Sequence, residues 1–178
     1  MATTISSLAT EDLDAETRAE IVRVCIGAHR EQDFERLFSY IPSGGRHFMA
    51  YRGRELVSHA VVTTRWLHLE GERRLKTAYV DAVATKPARQ GQGHATAVLK
   101  LLGTNVDDYD VACLQTDIPQ FYERLGWELW RGALAGLSGR TLIPTPDQEG
   151  VMILRLRGTP DFDLDGMLTI ECDPGRIW

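Results

Sequence analysis

The stretch Arg89-Gln90-Gly91-Gln92-Gly93-His94-Ala95 decides how the rest of the chain is read. Glycine adopts positive φ without steric cost and lets backbone approach a ligand closely. The first four N–H groups of a helix lack intrahelical partners, and the helix dipole favours negative charge there. A Gly-rich turn opening a helix is therefore suited to an anion, and a pyrophosphate is its natural ligand. A plain strand-to-helix turn is the bland alternative for an isolated Gly-x-Gly. The third glycine of a dinucleotide-binding fingerprint is missing. The helix that starts here is expected to run to about Val106, with Ala95, Val98, Leu99, Leu102 and Val106 as its buried stripe.

Upstream, three strands are expected over His47–Tyr51, Glu55–Leu69 and Leu75–Ala84. The short connections Arg52-Gly53-Arg54 and Glu70-Gly71-Glu72 favour antiparallel neighbours. Asp14 is placed to cap a helix reaching about Ala28, whose stripe is Ile21, Val24, Cys25 and Ala28. Arg30 to Gly45 reads as loop with short helical pieces. Downstream, Asp110–Gln115 reads as a buried strand, Pro119–Leu125 as a short helix, and Trp127–Leu134 and Val151–Arg157 as strands. The pattern is α+β, in a single domain spanning residues 1–178.

Composition narrows the function. With 43% hydrophobic and 25% charged residues among 178, the chain is globular and long enough for a core. A net charge of −5 gives no reason to expect nucleic acid or an anionic membrane as partner. No apolar run approaches the roughly 18 residues of a membrane span. Met1 to Leu13 lacks the basic start and apolar core of a signal peptide, so a cytoplasmic protein is expected. Cys25, Cys113 and Cys172 are too few and too scattered for a disulfide framework. The histidines show no i, i+4 pair, and no metal is expected. The G-x-S-x-G and P-loop patterns are also missing.

The turn follows the strand Tyr79–Ala84 and precedes a strand and then Phe121-Tyr122-Glu123-Arg124-Leu125-Gly126-Trp127. This order resembles the GNAT acetyltransferases, whose Q/R-x-x-G-x-G/A turn reads here Gln90-x-x-Gly93-x-Ala95. The resemblance implies the GNAT fold, a central mixed, mostly antiparallel sheet flanked by helices. It implies acetyl-CoA as cosubstrate, with its pyrophosphate on Gln90, Gly91, Gln92, Gly93, His94 and Ala95 and its pantetheine beside Val83 and Thr85. Further segments are similar to the aminoglycoside 2′-N-acetyltransferases: Gly44-Gly45-Arg46-His47, His59-Ala60-Val61-Val62 followed by Arg65, Tyr79-Val80-Asp81-Ala82, Thr145-Pro146-Asp147-Gln148-Glu149-Gly150, and Cys172-Asp173 before Trp178. A homodimer is expected on the same ground.

The resemblance implies site residues. Asp81 is the candidate base, acting through an ordered water; a strand Asp that only positions a substrate cation is an equal alternative. Tyr122 is the candidate general acid for the leaving thiolate, or else an ordinary core tyrosine. The backbone N–H of Val83 is the oxyanion donor that the family implies. Asp33 keeps a family carboxylate, while Phe38, Gln148 and Arg176 stand where the branch carries acids. Phe38 stacks on a sugar or fills core. Trp178 is a substrate ligand through its carboxylate, or a hydrophobic anchor. His47 and His59 read as structural rather than catalytic. Fewer acids and an added arginine suit an acceptor with few amines and a carboxylate-bearing group better than a polycation. Kasugamycin fits that description better than gentamicin or tobramycin. The alternatives are another acceptor amine, in a classical aminoglycoside, polyamine or peptide, and a non-catalytic acyl-CoA-binding module.

Overall fold

A computed structural model describes residues 3–70, 73–173 and 176–178. In chain order the elements are β1 (Thr3–Ala9), α1 (Ala15–His29), α2 (Leu37–Tyr40), β2 (Arg46–Arg52), β3 (Glu55–Leu69), β4 (Arg73–Thr85), α3 (His94–Gly103), β5 (Val111–Gln115), α4 (Pro119–Glu123), β6 (Glu128–Leu129), β7 (Leu134–Ser138), β8 (Thr141–Pro144), β9 (Val151–Arg155) and β10 (Leu168–Glu171). The chain divides into two compact units. One takes the chain up to Thr63 together with Val80–Asn105, and the other takes Thr64–Tyr79 together with Val106–Trp178.

In the first unit Asp14 starts α1 as expected, its carboxylate accepting from the Thr17 N–H at 2.7 Å. Ile21, Val24 and Cys25 face inward and pack with Leu37, Met49, Leu56 and Val61. β2 and β3 form an antiparallel hairpin around Gly53, with an irregularity at Ala50/Tyr51. β1 is an addition to the sequence reading. Its small polar residues carry no strong alternation, and its extended state comes from antiparallel pairing with β2, Thr3 opposite Arg52 through to Ala9 opposite Arg46. The helix α3 packs against β1 and β2. It closes at Gly103, earlier than the expected Val106, because Thr104 and Asn105 donate back to Leu101 and Leu102.

The second unit orders its strands β6-β9-β5-β4-β3-β10-β7-β8, β3 and β4 entering with the residues that belong to this unit. β5 runs parallel to β4 and antiparallel to β9, and β10 runs parallel to β7 and antiparallel to β3. The sheet is thus mixed and mostly antiparallel. The connection at Gly71 and Glu72 lies outside the described residues. The strand expected over Trp127–Leu134 is broken into β6 and the start of β7. Arg131 and Gly132 both donate to the Leu164 carbonyl, which draws the chain off the β9 edge. Gly132 lies so close to the Gly166 carbonyl that a β-carbon would sit 1.8 Å from it. The hairpin of β7 and β8 was not anticipated either. Among the described residues no helix is long and apolar enough to cross a membrane. Among the described residues Cys25, Cys113 and Cys172 form no disulfide.

The first unit buries two imidazoles completely. His47 on β2 and His59 on β3 are both 0% exposed, with Nδ1 of His47 2.9 Å from Nε2 of His59. Burial pushes His59 down to about 4, against the upward pull of its bond to Ala82. Burial, then the neighbouring His59 and Arg18, pushes His47 down to about 3. In the unfolded chain each takes up a proton near pH 6.5. The folded pair therefore contributes its full stability above about pH 6.5 and loses it as pH falls toward 4 and 3. Denaturant unfolding is expected to show stability falling between pH 7 and pH 5, with a slope of about 1.4 kcal/mol per pH unit for each imidazole at its steepest. A flat profile across this range would mean that neither ring resists protonation in the fold, and half the slope would mean that only one does.

Candidate active site

The helix α3 begins at Gly93, whose φ is +81°, and no side chain caps its first N–H groups. Gly91 is also left-handed, at +72°. A β-carbon at either glycine would meet nothing within 4 Å, so backbone conformation and not space requires glycine here. Gln90, Gly91, Gln92 and Gly93 are exposed, and the uncapped donors are open to an anion. Gln90 donates through Nε2 to the Thr85 carbonyl at 3.3 Å, tying the turn to the end of β4. His94 is turned inward, 5% exposed, with Nδ1 3.4 Å from the Thr3 hydroxyl, which leaves its main-chain N–H as its offering to a ligand.

β4 departs from regular alternation at the candidate base. Asp81, Ala82 and Val83 are all half-buried, and Ala82 has a φ of +49°. Three successive carbonyls accept from side chains. Ala82 receives His59 Nδ1 at 2.9 Å, Val83 receives His29 Nε2 at 3.1 Å and Ala84 receives the Ser58 hydroxyl at 2.9 Å. Ser58 accepts in turn from the Thr85 hydroxyl at 2.8 Å. His29 and Ser58 were not singled out in the sequence, because nothing in their local pattern marks them. His29 stacks on Phe34, with ring centroids 4.8 Å apart, next to the exposed Asp33. Phe38 is half-buried, its ring 4.8 Å from the Arg18 guanidinium and 5.6 Å from the His47 ring. In this fold it packs onto the core cluster of the first unit.

The second unit carries the other candidates. Tyr122 lies on α4, 5% exposed, edge-on to Phe121 and Trp127. Burial pushes its phenol up to about 12, moderated by a hydrogen bond with Thr116. It is therefore fully protonated at neutral pH. It can donate a hydrogen bond to a departing sulfur, while complete proton transfer to a thiolate of ordinary basicity, near 8.5, is uphill.

Arg65 and Trp178 organise the end of the chain. Arg65 is 3% exposed and donates through Nη2 to the carbonyls of Glu171 and Ile177, at 2.9 and 2.6 Å. Its Nε lies 3.1 Å from Asp173 Oδ2, an ion pair whose angle falls short of a hydrogen bond. The Tyr79 ring has the Arg65 guanidinium at 4.9 Å and that of Arg176 at 5.2 Å. Arg176 Nε donates to the Trp178 oxygen at 2.8 Å. The Trp178 indole N–H donates to the Thr145 hydroxyl at 3.2 Å, and the Gln148 N–H to the Thr145 carbonyl at 3.0 Å. Thr145 thereby joins Trp178 to the loop of Gln148. Asp33, Phe38, Asp81 and the Gly-rich turn thus belong to one unit, and Tyr122, Gln148, Arg176 and Trp178 to the other. Among the described residues no group of three His, Cys, Asp or Glu side chains is arranged to hold a metal ion.

The family model described as an acetyltransferase (GNAT) domain matches residues 5–130. The chain belongs to the GNAT acetyltransferases and is an acetyl-transferring enzyme. Within that class, an aminoglycoside 2′-N-acetyltransferase from Mycolicibacterium fortuitum is 34% identical over 176 residues, covering 95% of this chain and 89% of that protein. Solved structures agree on the fold. The GNAT family N-acetyltransferase YhbS from Escherichia coli, crystallised with CoA, superposes with a TM-score of 0.64 at 14% identity, over 95% of this chain and 91% of its own. Eis1 from Mycobacterium abscessus gives a TM-score of 0.63 at 21% identity over 75% of this chain, which spans only 33% of that longer protein.

Breaking the buried charge of Arg65 is expected to be costly. Arg65→Leu should lower the unfolding free energy by about 1 to 3 kcal/mol, because it strips the part-buried carbonyls of Glu171 and Ile177 of their donor. Arg74→Ala, which removes an exposed partner of Glu171, should cost less than about 1 kcal/mol. Equal losses in denaturant unfolding would contradict the distinction.

Proposed function

We propose that this enzyme transfers the acetyl group of acetyl-CoA to the 2′-amine of an aminoglycoside, with both substrates bound together and kasugamycin the favoured acceptor. The observation that carries the reading is the 34% identity to an aminoglycoside 2′-N-acetyltransferase over 95% of the chain. A single domain over residues 1–178 and a homodimer are part of the same proposal. Acetyl-CoA, when bound, supplies an activated thioester. The uncapped start of α3, with two left-handed glycines, fits its pyrophosphate. Val83 and Thr85 meet its pantetheine arm as an added strand would.

The remaining work falls to side chains. Asp81 takes the proton of the amine through an ordered water, or at least orients the amine as a cation. The Val83 N–H donates to the thioester oxygen as charge develops on it. Tyr122, held protonated by burial, donates to the departing sulfur. Asp33 attracts the amines of the acceptor, Phe38 borders its sugar, and Gln148 and Trp178 complete the acceptor site. Arg176 sits 2.8 Å from the Trp178 oxygen and offsets negative charge there. Together with Phe38 and Gln148 it makes this site less attractive to a polycation and more so to a carboxylate-bearing acceptor.

Thiol release from acetyl-CoA, measured with kasugamycin, gentamicin, tobramycin and a polyamine in parallel, tests the proposal. Turnover of kasugamycin well above the others is expected. Strong turnover of the polycations with none of kasugamycin would sink the acceptor assignment, and CoA binding without transfer to any amine would favour a non-catalytic binding module. Asp81→Asn should lower kcat/KM about 100-fold if Asp81 is the base. A change confined to the KM of the amine would leave it only an orienting role.

A further inference from the structure

The mechanism above leaves Thr10, His47 and His59 without a task, although they form a continuous buried chain ending at the candidate site. His47 and His59 sit diagonally on one face of the β2–β3 ladder, where Met49 is opposite His59 and Val61 opposite His47. His59 Nδ1 is 2.9 Å from the Ala82 carbonyl, His59 Nε2 is 2.9 Å from His47 Nδ1, and His47 Nε2 is 3.1 Å from the Thr10 hydroxyl. Thr10 is 6% exposed.

The direction of this chain follows from its ends. A carbonyl only accepts, so His59 must carry its proton on Nδ1. His59 Nε2 then accepts from Nδ1–H of His47, and His47 Nε2 accepts from Thr10. The Thr10 hydroxyl is also 3.0 Å from the Gly45 carbonyl, which receives the Thr10 N–H at 2.8 Å and keeps a second lone pair for the hydroxyl. With both rings assigned from the Ala82 end, His47 Nε2 bears no proton, and the relay has the hydroxyl proton directed to His47. Three protons fill three links, and both rings are neutral. The surroundings suit this state. Arg18 donates to the Thr10 carbonyl, the Phe38 ring lies over His47, and the Cys25 thiol, pushed up to about 12 by burial, stays uncharged 3.9 Å from His59 Nδ1.

The Ala82 carbonyl belongs to the same planar unit as the Val83 N–H, and in a trans peptide the two point in opposite directions. Drawing the carbonyl into the core therefore aims the Val83 N–H the other way. Alanine adopts the +49° φ found at Ala82 only where its surroundings hold it. We propose that Thr10, His47 and His59 are positioning residues, a one-directional hydrogen-bond relay that locks the Ala82–Val83 peptide and so aims the Val83 N–H at the thioester oxygen. This inference rests on the reading of Val83 as oxyanion donor.

The test uses full-length enzyme with [1-¹³C]acetyl-CoA, reading the infrared stretch of the bound thioester carbonyl alongside kcat and KM. Wild type is expected to shift the stretch to lower frequency. His59→Leu should return it toward the free value and lower kcat at least about tenfold, with KM for acetyl-CoA changed less than about threefold. His59→Gln, which can donate to Ala82 and accept from His47, should restore most of both. Thr10→Val, a smaller disturbance of the core, should give a partial loss in the same direction and serves if His59→Leu does not fold. An unshifted carbonyl in wild type would remove the Val83 reading itself. A shifted wild type whose shift persists in His59→Leu and Thr10→Val would overturn the relay while leaving Val83 in place.

Discussion

The hydrogen bond from His59 Nδ1 to the Ala82 carbonyl joins the core of the first unit to the backbone that carries the candidate base and the candidate oxyanion donor. A strand in regular alternation would offer its N–H and C=O groups to neighbouring strands and have none aimed at a ligand. A left-handed residue breaks that regularity, and it persists only if something in the surroundings holds it. Here the holding group is itself buried, neutral and hydrogen-bonded on its far side, so the peptide it grips has little freedom. His29 and Ser58 act on the next two carbonyls, and Gln90 ties Thr85 to the turn that opens α3. The candidate base, the candidate oxyanion donor and the candidate pyrophosphate turn are thus parts of one stiffened stretch, Asp81 to Gly93.

The second unit solves a different problem, that of giving the end of the chain a defined place. Arg65 does so by reversing the usual arrangement of charge. Its guanidinium lies in the core, with Nη2 donating to two carbonyls of the segment it fastens, while its acidic partner Asp173 is largely exposed. Tyr79 offers its ring to both Arg65 and Arg176, which turns a buried cation from a burden into part of the packing. The segment fastened in this way carries Arg176 and Trp178. The acceptor preference proposed for this enzyme thus hangs on a structural arginine more than 100 residues earlier in sequence.

Burial has opposite uses for two kinds of ring in this chain. It drives His47 and His59 to the neutral form, which a one-directional relay requires, since a charged ring would have no lone pair to accept with. It holds the Tyr122 phenol in its protonated form, which favours donating a hydrogen bond over giving up the proton. Tyr122 is thus better suited to stabilising charge on the sulfur than to acting as a free acid of pKa near 10.

Features that depend on a few consecutive residues could be read directly from the chain. The Gly91 and Gly93 turn, the Asp14 cap, the long β3 strand and the α3 stripe were legible because backbone conformation and periodicity are local properties. The GNAT assignment followed from the order of such pieces. Tertiary structure alone decided the rest. β1 is a strand because β2 lies beside it, and the Trp127–Leu134 segment breaks because the Leu164 carbonyl draws it away. His47 and His59 were read as structural, which described their burial but not their direction. Their link to Ala82 spans 23 residues and that of Arg65 to Ile177 spans 112, separations at which no local pattern carries information about a hydrogen bond.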